Sequence, residues 1–516
     1  MPVKVHSAQT VGLKASIVDV EVDLSQGLHS FSVVGLPDKA VEEARDRISA
    51  AIKNSGFASP QKKNQKVIVS LAPADLKKEG PVFDLAIAVG YMLASKQMLF
   101  ESKKKIFLGE LALDGTIRPV KGVLVLVRSA KEAGYEEIFV PEENAKEAGL
   151  VGGVKVFGCG SLSDIIWHFD RHSDFELREW PRTKIKIEEF GTGNGFDFSD
   201  IKGQESAKRG LEIAAAGGHN ILMVGPPGTG KTMLAKAFSS ILPPLSFDEI
   251  LETTSIHSVA GVLTDNFILR RPFRSPHHTS SYVAIVGGGV YPKPGEITLS
   301  HRGVLFLDEF PEFDRKVIES LRQPLEDGVV TVSRAKGTLS FPARFIMVCA
   351  MNPCPCGRSV SGGNRCVCSQ GALMRYERKI SGPIVDRIDL WLEVPQVDHE
   401  KLADDSASYE SSKAIRERVM RARAIQEERF RPLKASGRGG VSANSEMGVR
   451  ELKKFAALSD SAKNILGRAA KQFDLSGRAY HKVIKLARTI ADLAEKESIE
   501  DEHILEALQY RPKKND

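Results

Sequence analysis

Eight residues, Gly225-Pro-Pro-Gly-Thr-Gly-Lys-Thr232, constrain this chain more than any other stretch. They fit the pattern G-x-x-x-x-G-K-[ST], whose glycines let backbone N–H groups approach phosphate oxygens closely. The context is the one the pattern requires. The apolar run Ile221 to Val224 precedes it as a strand, and Met233, Leu234, Ala237 and Phe238 follow it on a helix. That helix presents its N-terminus, and hence positive potential, to a bound anion. Gly225, Pro226, Pro227, Gly228, Thr229 and Gly230 are thus expected to cradle phosphates, with Lys231 on the outer phosphates and Thr232 on Mg²⁺. ATP with Mg²⁺ is the expected ligand pair. The chain must also supply a parallel sheet covered by helices, because buried-strand runs recur at Val304 to Leu307 and Phe345 to Ala350 with helical segments between them.

The remaining parts of such a site are legible at the tips of those runs. Gly303 to Leu307 leads into Asp308 and Glu309; Asp308 is expected to hold the Mg²⁺ shell and Glu309 to polarise the attacking water. Ala350-Met351-Asn352 ends the next strand, where an amide can orient that water against the γ-phosphate; an ordinary turn asparagine before Pro353 is the competing reading. Arg387, between a short helix and a last strand at Leu390 to Val394, can project into a neighbouring subunit's γ-phosphate, an arrangement that accelerates hydrolysis by about 10³ to 10⁵. Arg478, at the start of a late helix, can sense nucleotide. For both arginines the alternative is a surface salt bridge.

At 516 residues the chain is too long for one core. We expect a domain over 1–170, a linker over 171–198, a nucleotide-binding core over 199–395 and a helical block over 396–516. In the first, Val67 to Leu71 and Glu137 to Val140 read as strands. Asp38 to Lys53 reads as a helix with Ala40, Val41, Ala44, Ile48, Ala51 and Ile52 on one face. In the last, helical patterns occupy Lys413 to Phe430, Val449 to Leu458, Asp460 to Gln472, Ala479 to Ala494 and Ile499 to Tyr510, with Pro432 to Ser445 read as a loop. Hydrophobic residues make up 42% and charged residues 27%, which excludes disorder as the main state. No apolar run reaches the roughly 20 residues that span a bilayer, and Met1 to Ser7 lacks a signal-peptide pattern, so no membrane role and a cytoplasmic location are expected.

The net charge of +6 decides nothing about nucleic acid. Lys413 to Gly440 carries nine basic and three acidic residues, and reads as a solvated helix face or a polyanion site. Cys354-x-Cys356, nine residues, then Cys366-x-Cys368 can place four thiolates around one structural Zn²⁺; free reduced thiols are the alternative. Cys159 and Cys349 read as buried small hydrophobes. The hairpin Val329 to Ser333 and Thr338 to Phe341 turns through Arg334-Ala-Lys336-Gly337. His257, His277, His278 and His301 match no ligand spacing and are read as structural or pore-lining.

Taken together, the phosphate loop, Gly295 to Gly303 running into Asp308-Glu309, Asn352-Pro-Cys-Pro-Cys-Gly357, Ser381-Gly-Pro383 through Leu390, and Ala507 to Arg511 resemble the magnesium chelatase-like AAA+ ATPases of the ComM/YifB family. The resemblance spans nearly the whole chain. It implies an AAA+ αβα core with a helix-2 insert and a pre-sensor hairpin, a helical C-terminal lid, and a homo-hexameric ring. It further implies that Arg334 and Lys336 contact DNA, branched or single-stranded; on composition alone an ordinary solvated hairpin is the better reading. The implied activity is an ATP-driven DNA motor that migrates branches during homologous integration of DNA in natural transformation. The rivals are a magnesium chelatase subunit that remodels a protein partner, an ATP-dependent protease, and a scaffold that binds ATP as a switch.

Residues 1 to about 165 also resemble the peptidase domain of Lon, an α+β fold shared with ribosomal protein S5, through Lys78-Glu-Gly-Pro81, Asp84 to Val89, Gly115 to Gly122 and Val140 to Asn144. The serine that such a peptidase needs reads here as Val82, and its lysine aligns with Leu124. Lys121 lies near but has nothing to activate, while Ser70 is an unaligned serine. An aliphatic side chain is no acyl nucleophile, so a non-proteolytic domain is expected.

Overall fold

Alternating burial along Lys14–Gln26, with Val18, Val20 and Val22 facing in and Asp19 and Glu21 facing out, shows how the first part of the chain is built. The computed structural model describes residues 2–62, 64–183, 195–289, 293–334, 337–358, 366–397, 409–435 and 441–512. They form two compact units, Met1–Lys186 with Phe247–Ile268, and Ile187–Ser246 with Leu269–Asp516.

The first unit contains β1 (Val3–Val11), β2 (Lys14–Gln26), β3 (Ser30–Val34), β4 (Gln65–Ala72), β5 (Lys105–Phe107), the short pair β6 (Glu110–Leu111) and β7 (Ile117–Arg118), β8 (Glu137–Pro141) and β9 (Lys155–Cys159). Seven of these make one mixed sheet in the order β3-β4-β2-β1-β5-β8-β9. Helices cover both faces. Lys39–Asn54 and Asp84–Ala94 pack on one face with Val5, Val20 and Val69, and Val123–Glu132 packs on the other with Ala8, Ile106 and Ile138. Asp38 caps Lys39–Asn54 by accepting from the Val41 amide. At the head of Asp84–Ala94, the buried Asp84 carboxylate takes two bonds from Arg47, at 2.8 and 3.1 Å. Burial nevertheless outweighs the guanidinium and raises the Asp84 pKa to about 6.

Val82 sits in the turn Pro81–Phe83, and Leu124 is buried in the core. The stretch read as a linker is structured at its start. Glu179 bridges Phe157 of β9 and the Trp180 amide donates to Val156 O at 2.7 Å; 184–194 lie outside the described residues.

The helix Phe247–Ala260 belongs to this first unit although it follows the phosphate loop in sequence. Its Ser258 hydroxyl donates to Glu147 at 2.6 Å and accepts from the Gly122 amide at 2.9 Å, while Glu147 also accepts from the Leu124 amide. Burial pushes the Glu147 pKa up despite these donors.

The second unit centres on a fully parallel sheet in the order β11-β14-β17-β10-β18: β10 (Ile221–Val224), β11 (Phe273–Arg274), β14 (Val304–Leu307), β17 (Ile346–Met351) and β18 (Leu390–Glu393). The pairs β12 (Gly287–Gly288) with β13 (Lys293–Pro294), and β15 (Val329–Arg334) with β16 (Gly337–Pro342), are separate ladders. The second is the predicted hairpin, its base held by buried Val330, Val332 and Phe341. Lys336 lies outside the described residues, and of Arg334 only the backbone, paired with Gly337, is described.

The C-terminal helices are Ser412–Ala435, Val449–Phe455, Asp460–Gln472, Gly477–Leu493 and Asp501–Gln509. The loop expected over Pro432 to Ser445 begins later: the helix carries Pro432 in its last turn to Ala435, and Phe430 and Leu433 pack on the core on either side of it. Proline forfeits one helical bond there, which the burial of its neighbours offsets. Several arginines of this helix pair with carboxylates of neighbouring elements. Arg418 meets Glu212 and Glu410, Arg421 meets Glu495, and Arg429 shares buried Asp492 with Arg488. Arg418 and Arg429 thus pin the helix to the buried Glu212 and Asp492, while Arg421 stays on its exposed face.

Candidate nucleotide site

A parallel sheet sends all its strand ends the same way, so β10, β14 and β17 deliver their next residues to one rim. Gly225 leaves β10 where a Cβ would stand 2.1 Å from Val394 O, so no larger residue fits. Gly228 and Gly230 have φ of +78° and +87°, which glycine adopts without strain, and Gly230 opens the helix Lys231–Ile241. Lys231 is only 8% exposed. Its ammonium donates to Gly225 O at 2.6 Å, to Pro226 O at 2.7 Å and to Asn352 Oδ1 at 3.4 Å. Burial lowers its pKa and Asp308 opposes that shift. A cation held by neutral carbonyls is one prepared for an anion.

Thr232 Oγ1 donates to Asp308 Oδ2 at 2.8 Å, so the two groups expected at Mg²⁺ already meet. Mg²⁺ takes oxygen ligands and keeps several waters, and a hydroxyl beside a carboxylate on an open rim fits that chemistry. Glu309 follows with φ +51°, and its amide donates back to Asp308 Oδ1 at 2.9 Å. Lys231, Asp308, Glu309 and Asn352 line one cavity of about 240 Å³, together with Glu312, Met351, Pro355 and Tyr376. The Tyr376 hydroxyl donates to Asn352 O at 3.1 Å and so fixes the strand tip.

Arg387 and Arg478 do not join that cavity. The Arg387 side chain is 11% exposed and donates to Glu326 and Pro383 O, leaving Nε buried without an acceptor. Arg478 Nη1 lies 3.9 Å from the same Glu326 oxygen. Two sequence-distant arginines thus converge on one carboxylate. Two residues after Arg387, Asp389 is buried; Lys482 and His219 overcome the cost of burial and hold its carboxyl well below the usual range.

The four cysteines Cys354, Cys356, Cys366 and Cys368 lie with all sulfurs within 4.8 Å of one another. Measured Sγ···Sγ separations are 3.3, 3.7 and 3.6 Å. A tetrahedral zinc with bonds of about 2.3 Å needs edges of roughly 3.8 Å, so the donor set fits. The Arg358 amide, helped by Cys354 and the Val367 amide, draws the Cys356 thiol down to about 6. The cluster touches the nucleotide rim, since Pro355 lines the cavity and a Cβ on Gly357 would meet Pro227 at 2.8 Å.

Gln204 escaped the sequence reading, and His278, read there as structural or pore-lining, stands beside the acidic pair. Gln204, at φ +63°, lines a second cavity of about 190 Å³ with Pro395 and Val397. Its Nε2 donates to Pro395 O, and its Oε1 is buried without a donor. His278 Nδ1 lies 3.1 Å from Glu309 Oε2. By contrast His257 and His301 are buried and structural: His257 pairs with Thr253 O, and His301 accepts from the Arg344 amide.

Comparison with known proteins agrees with this geometry. The family described as magnesium chelatase, subunit ChlI, matches residues 197–402; subunit ChlI of Mg-chelatase matches 20–144; and the ChlI C-terminal family matches 409–511. Competence protein ComM of Haemophilus influenzae is 42% identical over 98% of this chain and 97% of its own length. YifB of Salmonella typhimurium is 41% identical over 98% and 96%. The magnesium-chelatase 38 kDa subunit of Rhodobacter capsulatus is 29% identical, over 31% of this chain and 50% of its own. The chain belongs to the magnesium chelatase-like AAA+ ATPases of the ComM/YifB family.

Proposed function

We propose that the protein is a ring-forming ATPase that moves DNA, acting like a competence protein in the integration of incoming DNA by branch migration. The convergence of Lys231, Thr232–Asp308, Glu309 and Asn352 on one rim carries the ATPase reading. The full-length likeness to a protein named for competence supports the DNA reading.

On this reading the amides of Gly225 to Gly230 and the Lys231 ammonium exchange internal carbonyls for phosphate oxygens. Thr232 and Asp308 would hold Mg²⁺, which would supply positive charge against the phosphates. Glu309 accepts a proton from the water that attacks the γ-phosphorus while the bond to the β-phosphate breaks, and Asn352 orients that water. Arg387 releases Glu326 and serves the nucleotide of an adjacent protomer in a homo-hexamer, with Arg478 as a second phosphate sensor from the helical lid. Arg334 and Lys336 at the hairpin tip contact branched or single-stranded DNA. The first unit is a Lon-like domain without peptidase chemistry, given Val82 and Leu124. The cysteine cluster binds one structural Zn²⁺, which braces the rim through Pro355 and Gly357. Among the described residues no helix is long and apolar enough to cross a membrane. A motor acting on incoming DNA would work in the cytoplasm.

A second reading, remodelling of a protein partner, draws on the likeness to the 38 kDa chelatase subunit. Measuring ATP turnover with and without four-way DNA, across salt concentrations, separates the two. Stimulation by DNA that fades with salt supports the motor. ATP turnover that ignores DNA at every salt concentration removes it.

A further inference from the structure

We propose that Glu326 is a positioning residue that keeps Arg387 and Arg478 off nucleotide until the γ-phosphate bound to a second copy of this chain displaces its carboxylate. The inference rests on the reading that Arg387 acts across a subunit interface. Arg387 Nη2 forms an ion pair with Glu326 Oε1, and Arg478 Nη1 lies 3.9 Å from the same oxygen. The short helix Arg322–Asp327 that carries Glu326 is tied down on two sides. Gln323 Nε2 donates to Thr331 Oγ1 at 3.0 Å, and Arg322 Nη2 donates to Ser381 Oγ at 3.4 Å. Ser381 opens the turn Gly382–Val385 that delivers Arg387, so the carboxylate and its first guanidinium are held in register with each other.

The arrangement is favourable enough to hold and incomplete enough to be exchanged. Arg478 stands in the first turn of the helix Gly477–Leu493, at the positive end of its dipole, where a cation is disfavoured. Glu326 stands in the last turn of its own helix, where an anion is disfavoured. Each charge therefore gains from the other. Yet one carboxylate faces two guanidinium groups, so one positive charge stays uncompensated. Arg387 Nε is buried with no acceptor, and Glu326 itself is half-exposed. A terminal phosphate brings more charge and a third acceptor oxygen, and a planar guanidinium binds phosphate through two parallel bonds. Such an anion outcompetes the carboxylate when a neighbouring protomer presents it. Without it, both arginines stay neutralised within their own chain, and assembly on ATP must first break that pairing. Glu326 thereby sets the protein concentration at which turnover begins.

The test follows ATP turnover against protein concentration for the wild-type chain, Glu326→Gln and Glu326→Asp. Glutamine keeps the shape without the charge, and aspartate keeps the charge. In Glu326→Gln the half-maximal protein concentration is expected to fall about 5-fold, with kcat at saturating protein unchanged. Glu326→Asp is expected to stay near the wild type. Sedimentation with a non-hydrolysable ATP analogue should show the same shift in self-association. A merely structural pair gives the opposite result, because its loss loosens Arg387 and slows turnover at every concentration. With Arg387→Ala slow, an unchanged or raised half-maximal concentration in Glu326→Gln overturns the proposal, as does a shift in Glu326→Asp as large as that in Glu326→Gln. If Arg387→Ala turns over ATP at the wild-type rate, the reading of that arginine has failed and the proposal falls with it.

Discussion

The two sheets of this protein meet similar demands with different residues at their rims. In the parallel sheet of the second unit, strand ends deliver Lys231, Asp308, Glu309 and Asn352 to one cavity. In the first unit, Val82 and Leu124, which the sequence reading set against a peptidase's serine and lysine, are aliphatic residues of a turn and a helix, and Leu124 is core. A fold supplies places for chemistry; whether chemistry happens there is decided by a few side chains.

That contrast can be broken most sharply at the active rim. Lys231→Ala should abolish ATP binding and turnover, because no other cation lines the cavity among the described residues; equilibrium binding of a fluorescent ATP analogue reads this directly. Arg387→Ala should retain ATP binding but lose about 10³-fold in kcat, as expected for a guanidinium supplied across an interface; a wild-type rate would place the arginine in a purely structural pair with Glu326. At the silent rim, Leu124→Lys should cost the first unit about 3–5 kcal/mol by burying an unpaired charge, and should yield no peptidase activity. Denaturant unfolding and a casein digest check both halves.

The smallest effect sharpens the comparison through protons. Asp84 titrates near pH 6 when folded and near 3.8 when not, so the folded state holds the extra proton between these values. Stability should therefore decline as pH rises from about 4 to about 6, by at most about 2–3 kcal/mol, and then level off. Asp84→Asn should flatten that slope while lowering the whole curve, since Arg47 loses its partner; urea midpoints across the range measure it.

The second unit was the more legible in sequence for a physical reason. Strands buried on both faces read as unbroken apolar runs, and the functional residues sit at their ends, so Ile221 to Val224 announces both a strand and a phosphate loop. Most strands of the first unit are half-exposed and interleave polar residues; β1 and β2 pass unnoticed, and only Val67 to Leu71 and Glu137 to Val140 stand out. Pro432 misled because proline ends helices more often than burial lets one continue. Neither His278 nor Gln204 carries a local signal. Each meets a residue far away in sequence, Glu309 for His278 and Pro395 for Gln204, which single-chain spacing does not display.

The position of Phe247–Ala260 has a consequence for synthesis. The first unit lacks its last helix until residue 268 has been made, after the whole phosphate loop has been synthesised. An excised fragment ending at residue 186 would carry the Glu147 carboxylate without Ser258, so dissecting this protein into independently expressed pieces requires grafting 247–268 back by a short artificial connection.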